Sequence, residues 1–188
     1  MGNTATNVST GKPNISGAVF TAPLTATLPT DATSALSSDY TCLGHVSDEG
    51  LKNNNEMDVS EIKAWGGLTV YRSLNGLTDE FSLALIESEN PDVLKASYGD
   101  RNVKVTDGGN IEVAVVAEDP QERIWVFDLA LRGNKKKRIL IEDGAVTARE
   151  EITYNDSDAI AYGITVSAYP NAAGETHKEY ISAATPSA

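Results

Sequence analysis

The sequence predicts a mainly all-β chain with one short α-helix, an extended N-terminal arm and one long loop, and three observations predict it. From Tyr40 onward apolar residues recur with period two in short runs bounded by Gly, Asn or Asp, the pattern of half-buried strands joined by tight turns. One segment, "ENPDVLKASYGD", combines a helix start with a helix stop. Residues 1–39 carry three charged side chains, Lys12, Asp31 and Asp39, among Ser, Thr, Ala, Pro and Gly, and bury too little on their own to offset the entropy of ordering them.

The arm, 1–39, comes first. Pro13, Pro23 and Pro29 deny it a long strand, and "GAVFTAP" is its most strand-like piece. A single domain follows over 40–188. Its strand candidates are "DYTCLGHV", "GLTVYRS", "DEFSLALIES", "NVKVTD", "NIEVAVVAE", "RIWVFDLAL", "KKRILIE", "AVTAREEITY" and "AIAYGITVSAYP". In "RIWVFDLAL" the alternation puts Trp125, Phe127, Leu129 and Leu131 on one face, and Ile124, Val126, Asp128 and Ala130 on the other. In "AIAYGITVSAYP" it turns Ile160, Tyr162, Ile164, Val166 and Ala168 inward and Thr165 and Ser167 to water. The helix spans about 91–98: Asn90 caps it, Pro91 fits its first position, Asp92 suits the positive end of the dipole and Gly99 supplies a left-handed terminus. Val93, Leu94 and Tyr98 give it an apolar side. The stretch "VSDEGLKNNNEMDVSEIKAWGG", about 46–67, shows no clear period and reads as an extended loop.

Composition excludes several classes of function. A chain of 188 residues with 40% hydrophobic and 22% charged side chains suits one globular domain. No stretch approaches the roughly 20 apolar residues of a membrane helix, and the start lacks the basic and apolar regions of a secretory signal, so synthesis and retention in the cytosol are expected. Met1, Gly2 and Thr6 match an acylation pattern, without anchor-like residues after it. The formal net charge of −12 opposes a nucleic-acid clamp, which must neutralise phosphates.

Catalytic constellations fail one by one. His45 and His177 have no partner at metal-ligand spacing, and Cys42, the single cysteine, reads as a small buried hydrophobe. "TGKPN" lacks the upstream glycine and following hydroxyl of a phosphate loop. "YNDSDAIAYG" places Ile160 where a calcium loop needs an oxygen ligand. Glu150 with Glu151, and Glu87 with Glu89, read as solvated faces, and the sequons at Asn7, Asn14 and Asn155 carry no weight without secretion. The residues nominate no enzyme, no metal and no cofactor.

One feature stands out from that acidic background, the run Lys135, Lys136, Lys137 and Arg138 in "RGNKKKRILIEDGAV". On a strand Lys135 and Lys137 share a face about 7 Å apart, where their repulsion in water is only about 0.6 kcal/mol. The run therefore suits the solvated end of a hairpin. It equally suits a subunit contact, with counter-charges from another copy such as Asp48 with Glu49, Glu118 with Asp119, or Glu150 with Glu151.

The order of segments resembles a known family. "GKPNISGAVFTAPLTATLPTDAT", "LGHVSDEGL", "EIKAWGG", "FSLALIESENPDVLKASYG" and "WVFDLALRGNKKKRILIEDGAVTAREEITYNDSDAIAYGITVSAYP" follow one another as in the major tail protein, or tail tube protein, of long-tailed, siphovirus-type bacteriophages infecting actinobacteria and similar hosts. The resemblance rests on order and spacing, with Ala64-Trp65-Gly66-Gly67 among its more specific parts. It implies a β-sandwich or half-barrel with one helix, assembled into six-membered rings that stack into a tube. Its implied partners are further copies of itself, a tape measure protein, a tail-tip initiator and a tail terminator, with viral DNA passing through the bore without specific binding and no membrane contact. It also implies a virion protein assembled in the host bacterial cytoplasm and no C-terminal immunoglobulin-like domain within this sequence. The arm and the 46–67 loop would join ring to ring, which makes Asp48, Glu49, Trp65 and the run Lys135, Lys136, Lys137 and Arg138 candidate interface residues. The alternative is a monomeric β-sandwich binding or adhesion module of a virion or cell surface, which would expect clustered exposed aromatics, whereas Trp65 and Trp125 are far apart in sequence.

Overall fold

The structure, a computed structural model, describes residues 2–183; Met1, where the acylation pattern begins, and residues 184–188 lie outside them. Among the described residues there are eleven strands: β1 (Lys12–Pro13), β2 (Val19–Ala22), β3 (Thr41–Cys42), β4 (Lys52–Lys63), β5 (Thr69–Leu85), β6 (Val103–Val105), β7 (Ile111–Val113), β8 (Glu122–Leu131), β9 (Lys135–Arg149), β10 (Tyr162–Ala168) and β11 (Lys178–Ile181). Of these, β1, β4 and β11 lie outside the runs that sequence nominates. Nine of them form one antiparallel sheet in the order β3-β2-β8-β9-β10-β5-β4, with β1 also on β8 and β11 also on β9. β6 and β7 pair apart from it. The large sheet stays open, with β4 as one edge.

The one α-helix, α1, is Pro91–Tyr98, as the capping signals predict. The Asn90 side chain accepts from the Asp92 amide at 3.0 Å, and Gly99 sits at φ 94°, a conformation costly for any residue with a Cβ. Val93 and Ala96 of α1 enter the main core with Phe81, Leu83, Leu85, Trp125, Phe127, Ile139, Ile141, Ile164 and Val166. Phe81 and Phe127 stack with centroids 5.6 Å apart.

β8 is buried on both faces. Trp125 and Phe127 enter the main core, while Ile124 and Val126 enter a second one with Ala22, Ala26, Tyr40 and Leu140. The lid of that second core is the 23–40 stretch, held partly by the Tyr40 hydroxyl donating to the Thr27 carbonyl at 3.0 Å. The piece "GAVFTAP" is ordered as expected: β2 pairs with β8 and buries Val19 and Ala22.

Three segments differ from the sequence expectation. "KKRILIE" and "AVTAREEITY" are one strand, β9, in place of two. Asp143-Gly144 makes no turn because the Trp125 indole N–H donates to the Gly144 carbonyl at 3.1 Å. A Cβ at Gly144 would lie 2.9 Å from Ile141 Cγ2 and 3.2 Å from the Ser167 carbonyl, so the glycine serves close strand approach. "GLTVYRS" and "DEFSLALIES" likewise merge into β5, with a register shift near Asn75-Gly76 in place of a turn. The expected loop 46–67 is mostly strand: β4 pairs with β5 along its whole length. Every β4 residue is exposed, so no burial imposes an alternation that sequence reading would detect.

Candidate assembly surface

The β4–β5 hairpin leaves the body as a projecting ribbon. Phe81, Leu83 and Leu85 on one face of β5 are core. The same face continues outward through Leu77, opposite Met57, and beyond the bulge through Leu74, opposite Val59. All four are exposed. Farther out Arg72 donates to Glu61 at 2.8 Å. At the tip, the Ala64 amide donates to the Leu68 carbonyl at 2.8 Å, which closes the turn, and Trp65 has 106% relative exposure. Ile62 and Tyr71, a facing pair on the opposite side, are exposed as well. A contiguous apolar strand face on an open edge is the usual mark of an interaction surface.

A polar cluster separates this exposed face from the core. Asp79, 2% exposed, accepts from Asn53 at 2.8 Å, from the Thr176 hydroxyl at 2.6 Å, and lies 2.5 Å from His177 Nδ1. Burial pushes its carboxyl up, but hydrogen bonds from Thr176, His177, Asn53 and Asn55 outweigh that and hold it below the ordinary carboxylate range. His177 also meets the Phe81 ring edge-on at 5.2 Å. The C-terminal segment thereby clasps the root of the hairpin. His177, which has no partner at metal-ligand spacing in the sequence, is largely covered.

The candidate interface residues occupy three places that one chain does not bring together. Trp65 is at the hairpin tip. Asp48 and Glu49 lie exposed in the turn before β4, and Glu49 pairs with Lys52. The basic run opens β9, directly after the turn from β8, and it divides. Arg138 is 4% exposed and its guanidinium donates to both Asp128 oxygens, at 2.7 and 2.8 Å. It also reaches the carbonyls of Asp31 and Ser34, so it pins the arm to the sheet, and the Asp128 hydrogen bonds hold its charge above the usual arginine range. Lys137 pairs with Glu179 at 2.6 Å. Lys135 is half-buried and Lys136 exposed. The sequence missed Met57, Val59, Leu74 and Leu77, although the apolar residues at 57, 59 and 77 do fall at period two.

Elsewhere the chemistry is slight. His45 Nδ1 lies 2.7 Å from Glu87, and half-buried Cys42 is a free thiol. Among the described residues no group of His, Cys, Asp and Glu is placed to hold a metal ion, and no helix is long and apolar enough to cross a membrane.

An open, mainly β sheet with a projecting apolar ribbon suits a protein that works through contact with others. The family model described as phage tail tube protein matches residues 5–188, and the chain belongs to that family. It is thus a structural component of a virion, with a non-enzymatic role. Among solved structures, the cryo-EM structure of the anti-feeding prophage cap, the AFP tube terminating cap, is similar over 97% of this chain and 100% of that chain, at 10% sequence identity and a TM-score of 0.48. No curated protein matches.

Proposed function

We propose that this chain is the repeating subunit of a siphovirus-type tail tube, in which six copies close a ring, rings stack, and the bore passes the genome. The observation that carries the reading is the β4–β5 hairpin, whose core face runs on into solvent at Leu77, Met57, Leu74 and Val59. A second copy is its occupant: burying each such side chain contributes about 1.5–3 kcal/mol, and pairing the β4 edge removes its open backbone groups. The ring number rests on the family resemblance. So do the tape measure, tip and terminator partners and assembly in the host cytoplasm.

The opposite face of the same strands suits a bore. Ser82 bonds Thr165 at 3.0 Å, and Ser167 bonds both Glu80, at 3.3 Å, and Thr147, at 2.6 Å. Hydroxyls engaged with one another and with the Glu80 carboxylate supply phosphate no counter-charge, in keeping with passage of DNA without specific binding. The arm, residues 1–39, contributes β1 and β2 to the sheet of its own chain, which leaves the hairpin as the segment that joins copies.

The test compares the concentrated wild-type chain with a Met57→Ser, Val59→Ser, Leu74→Ser, Leu77→Ser variant by negative-stain electron microscopy. Hollow tubes from the wild type and dispersed, normally folded particles from the variant are the expected result. Tubes from both would remove the hairpin from the contact; persistent monomers from the wild type would favour the monomeric binding module.

A further inference from the structure

The two ends of β9 carry opposite charge. At its first end, Lys12 stands opposite Ala130, and Ala130 opposite Lys136. Three adjacent strands therefore put Lys12 and Lys136 on one face, roughly 10 Å apart across an alanine. Lys135, opposite Leu131, takes the other face, and Arg132 sits in the turn between β8 and β9. Among the described residues none of these four cations has an ion-pair partner, unlike Lys137 and Arg138 beside them.

The far end is the reverse. β9 runs out at Arg149 into residues 150–161, which hold four carboxylates, Glu150, Glu151, Asp156 and Asp158, and no cation. Glu122 begins β8 at this same end. The nearby cations are engaged: Arg149 lies over the Tyr98 ring at 5.0 Å, Arg123 pairs with Asp100 at 2.5 Å, and Lys52, within reach of Glu150, pairs with Glu49. An extended strand of 15 residues separates the two ends by up to roughly 45 Å.

We infer that copies of this chain meet head to tail, with Lys12, Arg132, Lys135 and Lys136 of one copy engaging the acidic 150–158 segment of the next. The inference rests on the self-assembly reading and adds its polarity. A contact between unlike surfaces that does not close into a ring repeats without limit, because each added copy presents the same free end. Of the counter-charges that sequence offers, Asp48, Asp119 and Glu151 are exposed with no ion pair among the described residues, and of these Glu151 is the one set in a segment of four carboxylates, Glu150, Glu151, Asp156 and Asp158. Exposed pairs add little affinity singly. Their part is to orient the encounter and reject the reversed one, while the apolar hairpin supplies the holding.

Two full-length variants test this: Lys12→Glu, Arg132→Glu, Lys135→Glu and Lys136→Glu together, and Glu150→Lys, Glu151→Lys, Asp156→Lys and Asp158→Lys together. Each has like charge at both ends. Sedimentation velocity at low salt should show each alone needing about tenfold more protein than the wild type to associate. An equimolar mixture should recover wild-type association, since every contact then pairs unlike ends, and 1 M salt should flatten the differences. Circular dichroism checks that both variants fold. Wild-type association that the variants leave unaltered, or a mixture no better than its parts, overturns the head-to-tail contact alone. A wild-type chain that never associates overturns the self-assembly reading and the contact with it.

Discussion

The two halves of β5 share a strand, a face and a side-chain chemistry, and differ in what covers them. From Asp79 to Leu85 the inward residues are closed over by the sheet, α1 and the C-terminal segment; from Thr69 to Thr78 the equivalent residues face water. The division falls at Asp79, whose partners Asn53, Thr176 and His177 replace an apolar neighbour with directed hydrogen bonds. One half of the strand thus stabilises the fold, and the other is held ready for a partner.

The sharpest way to break that comparison is to truncate one residue in each half. Phe81→Ala should cost about 3–5 kcal/mol in chemical denaturation, from lost burial and the cavity left behind. Leu77→Ala, four residues away on the same face, should stay within about 0.5 kcal/mol for the unassembled chain. Equal losses would show that the outer half is covered within one chain.

Nearly as large an effect is expected at the division inside the basic run. Arg138→Ala leaves Asp128 buried without its partner, at about 3–5 kcal/mol, and Arg138→Met with Asp128→Leu should recover most of it. Lys136→Ala, two residues away and exposed, should leave the melting temperature unchanged. Reversing Arg138 to probe a subunit contact would therefore unfold the site it was meant to report on.

A smaller effect lies at the boundary itself. The Asp79 carboxyl ionises below its ordinary value of 3.8, so its contribution is present above that value and is lost as pH falls through the lower folded one. Asp79→Asn should cost about 1–3 kcal/mol at pH 7, and its denaturation midpoint should converge on that of the wild type in acid. A constant gap down to pH 2 would mean that the charge of Asp79 contributes nothing.

What was legible from sequence follows from burial. α1 was legible because Asn90, Pro91 and Gly99 act locally, whatever surrounds them. Ile164, Val166 and Ala168 were legible because one face of β10 is core and the other is not. The hairpin was not: β4 is exposed on both faces, so Asn53, Asn54 and Asn55 look like loop although each stands in register with a residue of β5. Likewise Asn75-Gly76 and Asp143-Gly144 carry turn chemistry that tertiary contacts override. In the basic run, sequence supplied the charges but not their partners, because Asp128 and Glu179 reach Arg138 and Lys137 only through strand pairing.

β9 also has a mechanical meaning. Its 15 residues are bonded to β8, β10 and β11, by hydrogen bonds that lie across the strand axis. Tension applied between Lys135 and Arg149 would run along the covalent backbone of a strand that is already extended, and none of those bonds could yield by unzipping. A stack joined through those two ends would carry axial force along its stiffest line, leaving the hairpins to flex.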